Sequence, residues 1–295
     1  MLSDNPSAPA RRAPAKVNLG LHVLRRRADG DHDIETVLLR IGWADHLTAR
    51  SADTLSLTCS DPSLPTGEAN LCMQAAQRLA EAFGVDAGAA LHLEKRLPYG
   101  AGLGGGSSDA AATLRLLDTL WGLDASPAHL REIGAEIGAD VPFFLHEQTP
   151  AALATGRGTT LQPLRGTDGA PYRLPFALVV VDAGVPVSTA EAYRRVVPRA
   201  ERRPDLTALV CSNDLARWRA DLENDFASVV FDEHPQVEHA RDRLVRAGAG
   251  YATLTGSGGA IVGVFEDPRA ARAAAAAEVH RRSDHRAWWR GRGGR

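Results

Sequence analysis

Lysine is nearly absent from this chain of 295 residues. Lys16 and Lys95 are the only lysines among 34 basic residues, and every other basic residue is arginine. Arginine serves a solvent-exposed face as well as lysine does, but a compact ammonium and a planar guanidinium are not interchangeable where space is limited. Either the two lysines are a chance remainder or each has a specific role. The second interpretation directs attention to the stretches that contain them.

Cysteine is also scarce, and long apolar runs are missing. Cys59, Cys72 and Cys211 are scattered and form no CxxC pair, so neither a disulfide framework nor a zinc site is indicated. No apolar run approaches the roughly 20 residues that a membrane-spanning helix needs, and MLSDNPSAPARRAPA lacks a signal-peptide core. The net charge of −2 does not favour nucleic-acid binding. We therefore expect a cytoplasmic protein with small-molecule partners, without nucleic-acid or membrane partners, that is a monomer or a weak homodimer.

The length and the hydrophobic pattern indicate two domains of an α+β protein. Strands and helices alternate in both halves, and the stretch RGTDGAPYR has the composition of a boundary. We expect a first domain over 14–165 and a second domain over 166–284. We expect residues 1–13 to form a disordered N-terminal tail and residues 285–295 to form a loose basic C-terminal tail.

The stretch GAGLGGGSSDAA is the most unusual part of the chain. A strand is predicted before it, up to Leu97, and a helix after it, with Ser107, Ser108 and Asp109 at the capping positions. Bare backbone followed by a helix N-terminus is typical of a phosphate-binding loop, because unpaired amides attract an anion. A tight linker is the alternative. The predicted anion-binding residues are Pro98, Tyr99, Gly100, Ala101, Gly102, Leu103, Gly104, Gly105, Gly106, Ser107 and Ser108.

Two common classes of phosphate loop do not fit this glycine run. A Walker A loop needs Gly-Lys-Ser/Thr, which does not follow here. Gly100, Gly102 and Gly105 match GxGxxG formally, but a dinucleotide fold then needs a second strand ending in an acidic residue. A loop and another helix, WGLDASPAHLREIG, follow instead.

Two charged residues outside the glycine run are candidates for chemistry. Asp140 precedes the apolar segment VPFF, so it is either a functional carboxylate or the cap of a short helix with Pro142 in its first turn. Lys16 starts a predicted strand and shares a strand face with Asn18. A surface lysine that extends its ammonium into solvent is the alternative for Lys16.

Five motifs, in order, resemble those of the GHMP small-molecule kinases: PAKVNLGLHVLRRRADGDH, KRLPYGAGLGGGSSDAA, GADVPFF, ENDF and LTGSGGA. The resemblance runs from about residue 14 to residue 265. It implies an N-terminal ribosomal-protein-S5-like domain and a C-terminal ferredoxin-like domain, with ATP and Mg²⁺ as cofactors. It also implies that Asp140 is the catalytic base with Lys16 beside it. The metal ligands are left open, although the hydroxyls of Ser107 and Ser108 could serve.

The resemblance also implies a substrate site. His32 would hydrogen-bond the cytosine of the substrate, with Tyr193 as an aromatic face and Asn18 orienting the substrate. Thr255 and Gly256 would line the cleft, in a glycine turn that packs against the phosphate loop. The related kinases carry a second stacking tyrosine immediately before the histidine, whereas this chain has Asp31.

Three functions stay open at this point. The first is phosphorylation of the cytidine-containing alcohol that the resemblance implies. The second is phosphorylation of another small alcohol, because Asp31 replaces a tyrosine that stacks on the cytosine in related kinases. The third is RNA binding without catalysis, because S5-like domains also occur in RNA-binding proteins and the C-terminus is arginine-rich.

Overall fold

The computed structural model describes residues 9–146, 148–279 and 286–291. Strands in these residues are β1 (Ala10–Arg26), β2 (His32–Ala52), β3 (Ser56–Cys59), β4 (Gly88–Glu94), β5 (Ala151–Gly156), β6 (Thr160–Pro163), β7 (Ala177–Asp182), β8 (Tyr251–Leu254), β9 (Ala260–Phe265) and β10 (Arg286–Arg290). Helices are α1 (Leu71–Phe83), α2 (Gly105–Trp121), α3 (Pro127–Ile137), α4 (Val141–Leu145), α5 (Thr189–Arg195), α6 (Leu206–Cys211), α7 (Leu215–Asp221), α8 (Phe226–Glu233), α9 (Pro235–Arg246) and α10 (Pro268–Val279). Within the described ranges, every helix is too short or too polar to cross a bilayer.

The described residues form two compact units, and each unit is assembled from separate stretches of chain. The first unit comprises 9–15, 43–97 and 105–146, and the second comprises 16–42, 98–104, 148–279 and 286–291. The long strands β1 and β2 therefore each contribute to both units, and so does the glycine run. A division of the chain at residues 165 and 166 stays a prediction.

In the first unit, a small sheet packs with a layer of helices. The second half of β2 pairs antiparallel with β4, from His46 opposite Glu94 to Ala52 opposite Gly88, and β3 pairs parallel with β4. Helices α1 and α2 pack against each other. Their inward faces are small and aliphatic, and Leu79 and Leu117 are fully buried. This packing fixes α2, and with it the start of the helix that follows the glycine run.

In the second unit, the first half of β2 pairs antiparallel with β5, and β5 pairs antiparallel with β6. A separate four-stranded sheet has the order β10-β7-β9-β8. β7 reads ALVVVD and β9 reads AIVGVF, and all residues of both strands are buried. Such continuous apolar runs are typical of strands that are covered on both faces. Helices α9 and α10 pack on this sheet.

Both chain ends differ from the sequence prediction where they are described. β1 begins at Ala10, so the predicted disordered tail over 1–13 is wrong for its last residues, while 1–8 lie outside the described residues. The stretch RAWWR forms β10 and pairs with β7, from Arg286 opposite Asp182 to Arg290 opposite Leu178, so it is not a loose tail. Backbone pairing to a distant strand, which local composition does not report, orders each segment.

Candidate active site

The part of the glycine run in the second unit, Pro98–Gly104, is a loop whose alternate residues are anchored. Ala101 and Leu103 are buried, whereas Gly100, Gly102 and Gly104 have φ of +71°, +80° and +67°. These backbone conformations are costly for any residue with a side chain. The glycines thus permit a tightly folded backbone held at two apolar points.

The glycine turn Thr255–Ala260 packs directly on this loop, which confirms the contact predicted between the two motifs. A Cβ at Gly102 would lie 2.1 Å from the Thr255 carbonyl oxygen, and one at Gly258 would lie 2.3 Å from the Gly102 nitrogen. The Ala260 amide donates to the Ala101 carbonyl at 3.3 Å. The two backbones touch because neither carries a side chain at the contact.

We expect Gly102→Ala to lower the free energy of unfolding by about 1–3 kcal/mol from the backbone clash alone. A further ~1 kcal/mol comes from its left-handed conformation. Gly100→Ala is the matched control, because its φ is also positive but no atom lies within 4 Å of the added Cβ. Chemical denaturation of both variants measures the difference, and equal losses in the two would contradict the close contact.

Lys16 is buried beside the loop, at 5% exposure, and is not a solvated surface lysine. Its amide donates to the Leu103 carbonyl at 2.9 Å, and its Nζ donates to the Gly102 carbonyl at 3.0 Å and to Asn18 Oδ1 at 2.8 Å. A buried ammonium is costly unless it is hydrogen-bonded. The protein therefore holds this cation in one place, against the backbone of the glycine loop.

Asn18 is held by its own network. Its Nδ2 donates to Thr36 Oγ1 at 2.9 Å, its amide donates to Thr255 Oγ1 at 2.9 Å, and the Thr255 hydroxyl donates to Asn18 Oδ1 at 3.3 Å. Asn18 and Thr255 are both buried, as is Gly256. These contacts make Asn18 and Thr255 supports for the Lys16 ammonium, while a direct contact of Asn18, Thr255 or Gly256 with substrate stays a prediction.

Asn224, in the ENDF motif, supports the same region, which sequence reasoning did not anticipate. Its Nδ2 donates to the Leu254 and Gly256 carbonyls, each at 2.9 Å, and its Oδ1 accepts from the Phe226 amide at 3.0 Å. One buried amide thus fixes the glycine turn and the start of α8. The ENDF motif by itself carried no indication of these contacts.

The second unit also brings the rings of His32 and Tyr193 close to each other, while their contact with a base stays a prediction. Their ring centroids are 5.0 Å apart with planes tilted by 32°, and Tyr193 packs edge-on against Phe226 at 4.8 Å. Burial lowers the pKa of His32, helped by the nearby Arg26 and opposed by Asp31. The ring is therefore neutral near pH 7 and can both donate and accept a hydrogen bond.

Asp31 has a partner that the sequence did not reveal. Its carboxylate pairs with the Nε of Arg157 at 2.6 Å, and both side chains are partly exposed. Arg157 lies between Gly156 and Gly158, in the turn that joins β5 to β6. The position where related kinases carry a tyrosine is thus occupied by an ion pair.

In the first unit, α2 begins at Gly105, two residues earlier than the sequence predicted. Ser107 and Ser108 therefore lie in the first turn and do not cap the helix. The first four amides of a helix have no partner in a preceding turn, so the amides of 105–108 form the anion-attracting end. The Ser108 hydroxyl is buried and donates to the Pro14 carbonyl at 2.7 Å, whereas Ser107 is half-buried.

Asp140 lies in the same unit, two residues after Gly138, which contacts the first turn of α2. The Ser107 Oγ is 3.5 Å from where a Cβ of Gly138 would sit, so this hydroxyl borders the Gly-Ala-Asp segment. Asp140 occupies the N-cap position of α4 but makes no side-chain capping hydrogen bond, and all five residues of α4 are buried. Asp140 thus stands at the cap position of a short helix with Pro142 in its first turn, as the alternative interpretation has it, but its carboxylate does not bond the helix amides. Its role as a catalytic base stays a prediction.

Each unit has a feature that suits an anion or a metal-bound nucleotide. In the first unit the unpaired amides at the start of α2 attract an anion, and in the second unit no atom lies within 4 Å of a Cβ added at Gly100. Among the described residues, no cluster of three or more His, Cys, Asp or Glu side chains could hold a metal. Mg²⁺ in nucleotide sites commonly takes one or two protein ligands together with phosphate oxygens and water.

Comparisons with known proteins agree with this geometry. The model of the GHMP kinase N-terminal domain matches residues 70–148, and that of the GHMP kinase C-terminal domain matches residues 206–278. A 4-diphosphocytidyl-2-C-methyl-D-erythritol kinase from Salinibacter ruber is 62% identical over 265 residues, covering 90% of this chain and 93% of the relative. The same enzyme from Chlorobium phaeobacteroides is 46% identical over 271 residues, covering 90% of this chain and 91% of the relative.

Solved structures give the same result. A crystal structure of 4-(cytidine 5'-diphospho)-2C-methyl-D-erythritol kinase matches with a TM-score of 0.76 and 36% identity, covering 95% of this chain and 98% of the other. The mevalonate kinase of Methanococcus jannaschii matches with a TM-score of 0.74 at 13% identity, covering 97% of this chain and 98% of the other. The second likeness concerns the fold alone, which is the two-domain α+β fold that the motifs implied.

Proposed function

This chain belongs to the 4-diphosphocytidyl-2-C-methyl-D-erythritol kinase family of GHMP kinases, and from that membership we propose its substrate and mechanism. It transfers the terminal phosphoryl group of ATP to the 2-hydroxyl of 4-diphosphocytidyl-2-C-methyl-D-erythritol, in the non-mevalonate route to isoprenoid precursors. The observation that carries the proposal is the 62% identity to a kinase of that name over 90% of the chain.

The transfer is a direct in-line displacement. The 2-hydroxyl oxygen forms a bond to the γ-phosphorus, the bond from that phosphorus to the β,γ-bridging oxygen breaks, and ADP leaves with the electron pair. The proton of the hydroxyl passes to the Asp140 carboxylate. Such a reaction needs positioning and charge stabilisation more than covalent help.

Lys16 supplies a fixed positive charge at the glycine loop in this mechanism. Support comes from its burial and its two hydrogen bonds, to Gly102 and Asn18, which hold the ammonium before any ligand arrives. A preorganised charge costs no reorganisation during the reaction. Asn18 positions Lys16, with Thr36 and Thr255 positioning Asn18 in turn.

The amides of 105–108 bind the phosphate chain of ATP in this proposal. Ser107 is the better placed of the two serines to serve as a metal ligand, because the Ser108 hydroxyl is already committed to Pro14. When bound, Mg²⁺ would neutralise charge on the β- and γ-phosphate oxygens. Every other role is carried by groups of this chain.

The proposal is tested with purified protein, ATP and a panel of small alcohols led by 4-diphosphocytidyl-2-C-methyl-D-erythritol. We expect ADP release with that acceptor and a product heavier by one phosphoryl group in the mass spectrum. Turnover with a different alcohol and none with this one would favour the alternative function, a kinase that phosphorylates another small alcohol. Asp31, in place of the stacking tyrosine, is the residue that suggests this alternative.

His32 and Tyr193 form the base site in this proposal, and Asp31→Tyr tests it. Base–aromatic stacking is worth about 1–3 kcal/mol, so an added ring at position 31 should lower the KM for the cytidine substrate about fivefold or more. Arg157→Gln is the control, because it breaks the same ion pair without adding a ring and should leave KM within about twofold. A higher KM in Asp31→Tyr would show that the base binds elsewhere.

A further inference from the structure

A buried charge network joins the two ends of the glycine run. Lys95 Nζ donates to Asp45 Oδ2 at 2.5 Å and to Asp109 Oδ2 at 2.8 Å. The side chains of Lys95, Asp45 and Asp109 are 5%, 0% and 2% exposed. All three residues belong to the first unit. The second of the chain's two lysines is therefore buried, like the first.

Each carboxylate holds one side of the run. Asp45 Oδ1 accepts from the amides of Arg96 and Leu97, at 2.5 and 2.7 Å, so it fixes the residues at which the chain leaves the first unit. Asp109 lies in the second turn of α2, the helix at which the chain returns. Lys95 connects these two anchors.

The network is tightly fitted and incompletely satisfied. A Cβ at Gly105 would lie 3.2 Å from Lys95 Nζ, so the first residue of α2 sits against the ammonium. Asp109 Oδ1 is buried without a hydrogen-bond partner within the described part of the chain. Burial raises the pKa of Asp109 to about 7, opposed by Lys95 and reinforced by Asp45. A buried ion pair adds little net stability, because the desolvation of the charges offsets their attraction.

We propose that Lys95 is a positioning residue that sets the separation between the two ends of the glycine run, and through it the affinity for the triphosphate of ATP. The inference rests on the proposed function for the identity of the anion. The ammonium does not touch ATP in this proposal. It acts through Asp45 on the entrance to the run and through Asp109 and Gly105 on the helix whose amides bind phosphate.

The test uses the double variant Lys95→Met with Asp109→Leu. Removing the cation together with one carboxylate leaves the net charge of the network unchanged, and Asp45 keeps the Arg96 and Leu97 amides as donors. Thermal melting by circular dichroism checks the fold. Isothermal titration with magnesium and the non-hydrolysable analogue AMP-PNP measures nucleotide affinity without any acceptor. We expect Kd to rise at least tenfold while the KM for the acceptor changes less than threefold.

The control is Arg78→Met with Glu136→Leu, which removes an ion pair between α1 and α3 of the same unit that does not flank the run. Its Kd should match that of the wild type. Lys95→Arg should also bind weakly, because the space against Gly105 fits an ammonium and not a guanidinium. An unchanged Kd in the Lys95 double variant, an equal rise in the control, or wild-type affinity in Lys95→Arg would each overturn the inference.

These outcomes separate the inference from the proposed function. Wild-type protein that binds AMP-PNP but does not phosphorylate the named acceptor contradicts the function and leaves the role of Lys95 standing. If the wild type phosphorylates the named acceptor and the Lys95 variants keep its affinity for AMP-PNP, only the role of Lys95 is contradicted.

Discussion

Asp140→Asn is expected to lower turnover at least about 10²-fold, because an amide cannot accept the proton that the acceptor hydroxyl releases. Asparagine matches the size and shape of aspartate, so the variant should keep the fold, which circular dichroism checks. Steady-state kinetics with saturating ATP measures the effect, and AMP-PNP binding should stay within about twofold of the wild type.

A second aspartate provides the matched control for this substitution. Asp205 caps α6 by accepting from the Ala208 amide, and asparagine caps a helix about as well as aspartate. Asp205→Asn should therefore keep normal turnover. If Asp140→Asn also kept normal turnover, Asp140 would not be the base.

Lys16→Met is expected to reduce turnover by a similar factor, at least about 10²-fold, because one preorganised charge is removed from the reacting phosphate. Methionine matches the length of the buried side chain but removes the ammonium that donates to Asn18 Oδ1 and to the Gly102 carbonyl. Some loss of thermal stability is expected, so activity is measured well below the melting temperature.

A combined variant separates a shared catalytic step from independent damage. If Lys16 and Asp140 act on one step, the loss in Lys16→Met with Asp140→Asn falls well short of the product of the single losses. A fully multiplicative loss would contradict their partnership. Lys16→Met with wild-type turnover would remove Lys16 from the mechanism.

The local sequence correctly predicted those features of the fold that neighbouring residues determine. The glycine run lies between β4 and α2 as predicted, because Pro98 and consecutive glycines interrupt both types of regular structure. The apolar segment after Asp140 is a buried helix, and Pro142 in its first turn is a local signal of a helix start. Composition also pointed to both lysines before any contact was known.

Contacts between distant residues could not be predicted in this way. Ser108 and Asp109 have the residue types of helix caps, yet they lie inside α2, where the Ser108 hydroxyl donates to Pro14 and Asp109 Oδ2 accepts from Lys95. The pairing of Asp31 with Arg157 depends on how the β1–β2 turn and the β5–β6 turn approach each other. The spacing of residues along the sequence does not show which distant segments contact each other.

The burial of both lysines has a consequence for chemical labelling. Reagents that acylate side-chain amines find no exposed lysine on the folded protein, so amine-directed crosslinking is a poor choice for mapping its neighbours, and carboxylate-directed chemistry is preferable. A nucleotide analogue that carries an acyl phosphate delivers its electrophile from the bound nucleotide itself. Because Lys16 Nζ contacts the Gly102 carbonyl of the glycine loop, we expect such a reagent to modify Lys16, and one mass increment would report nucleotide binding.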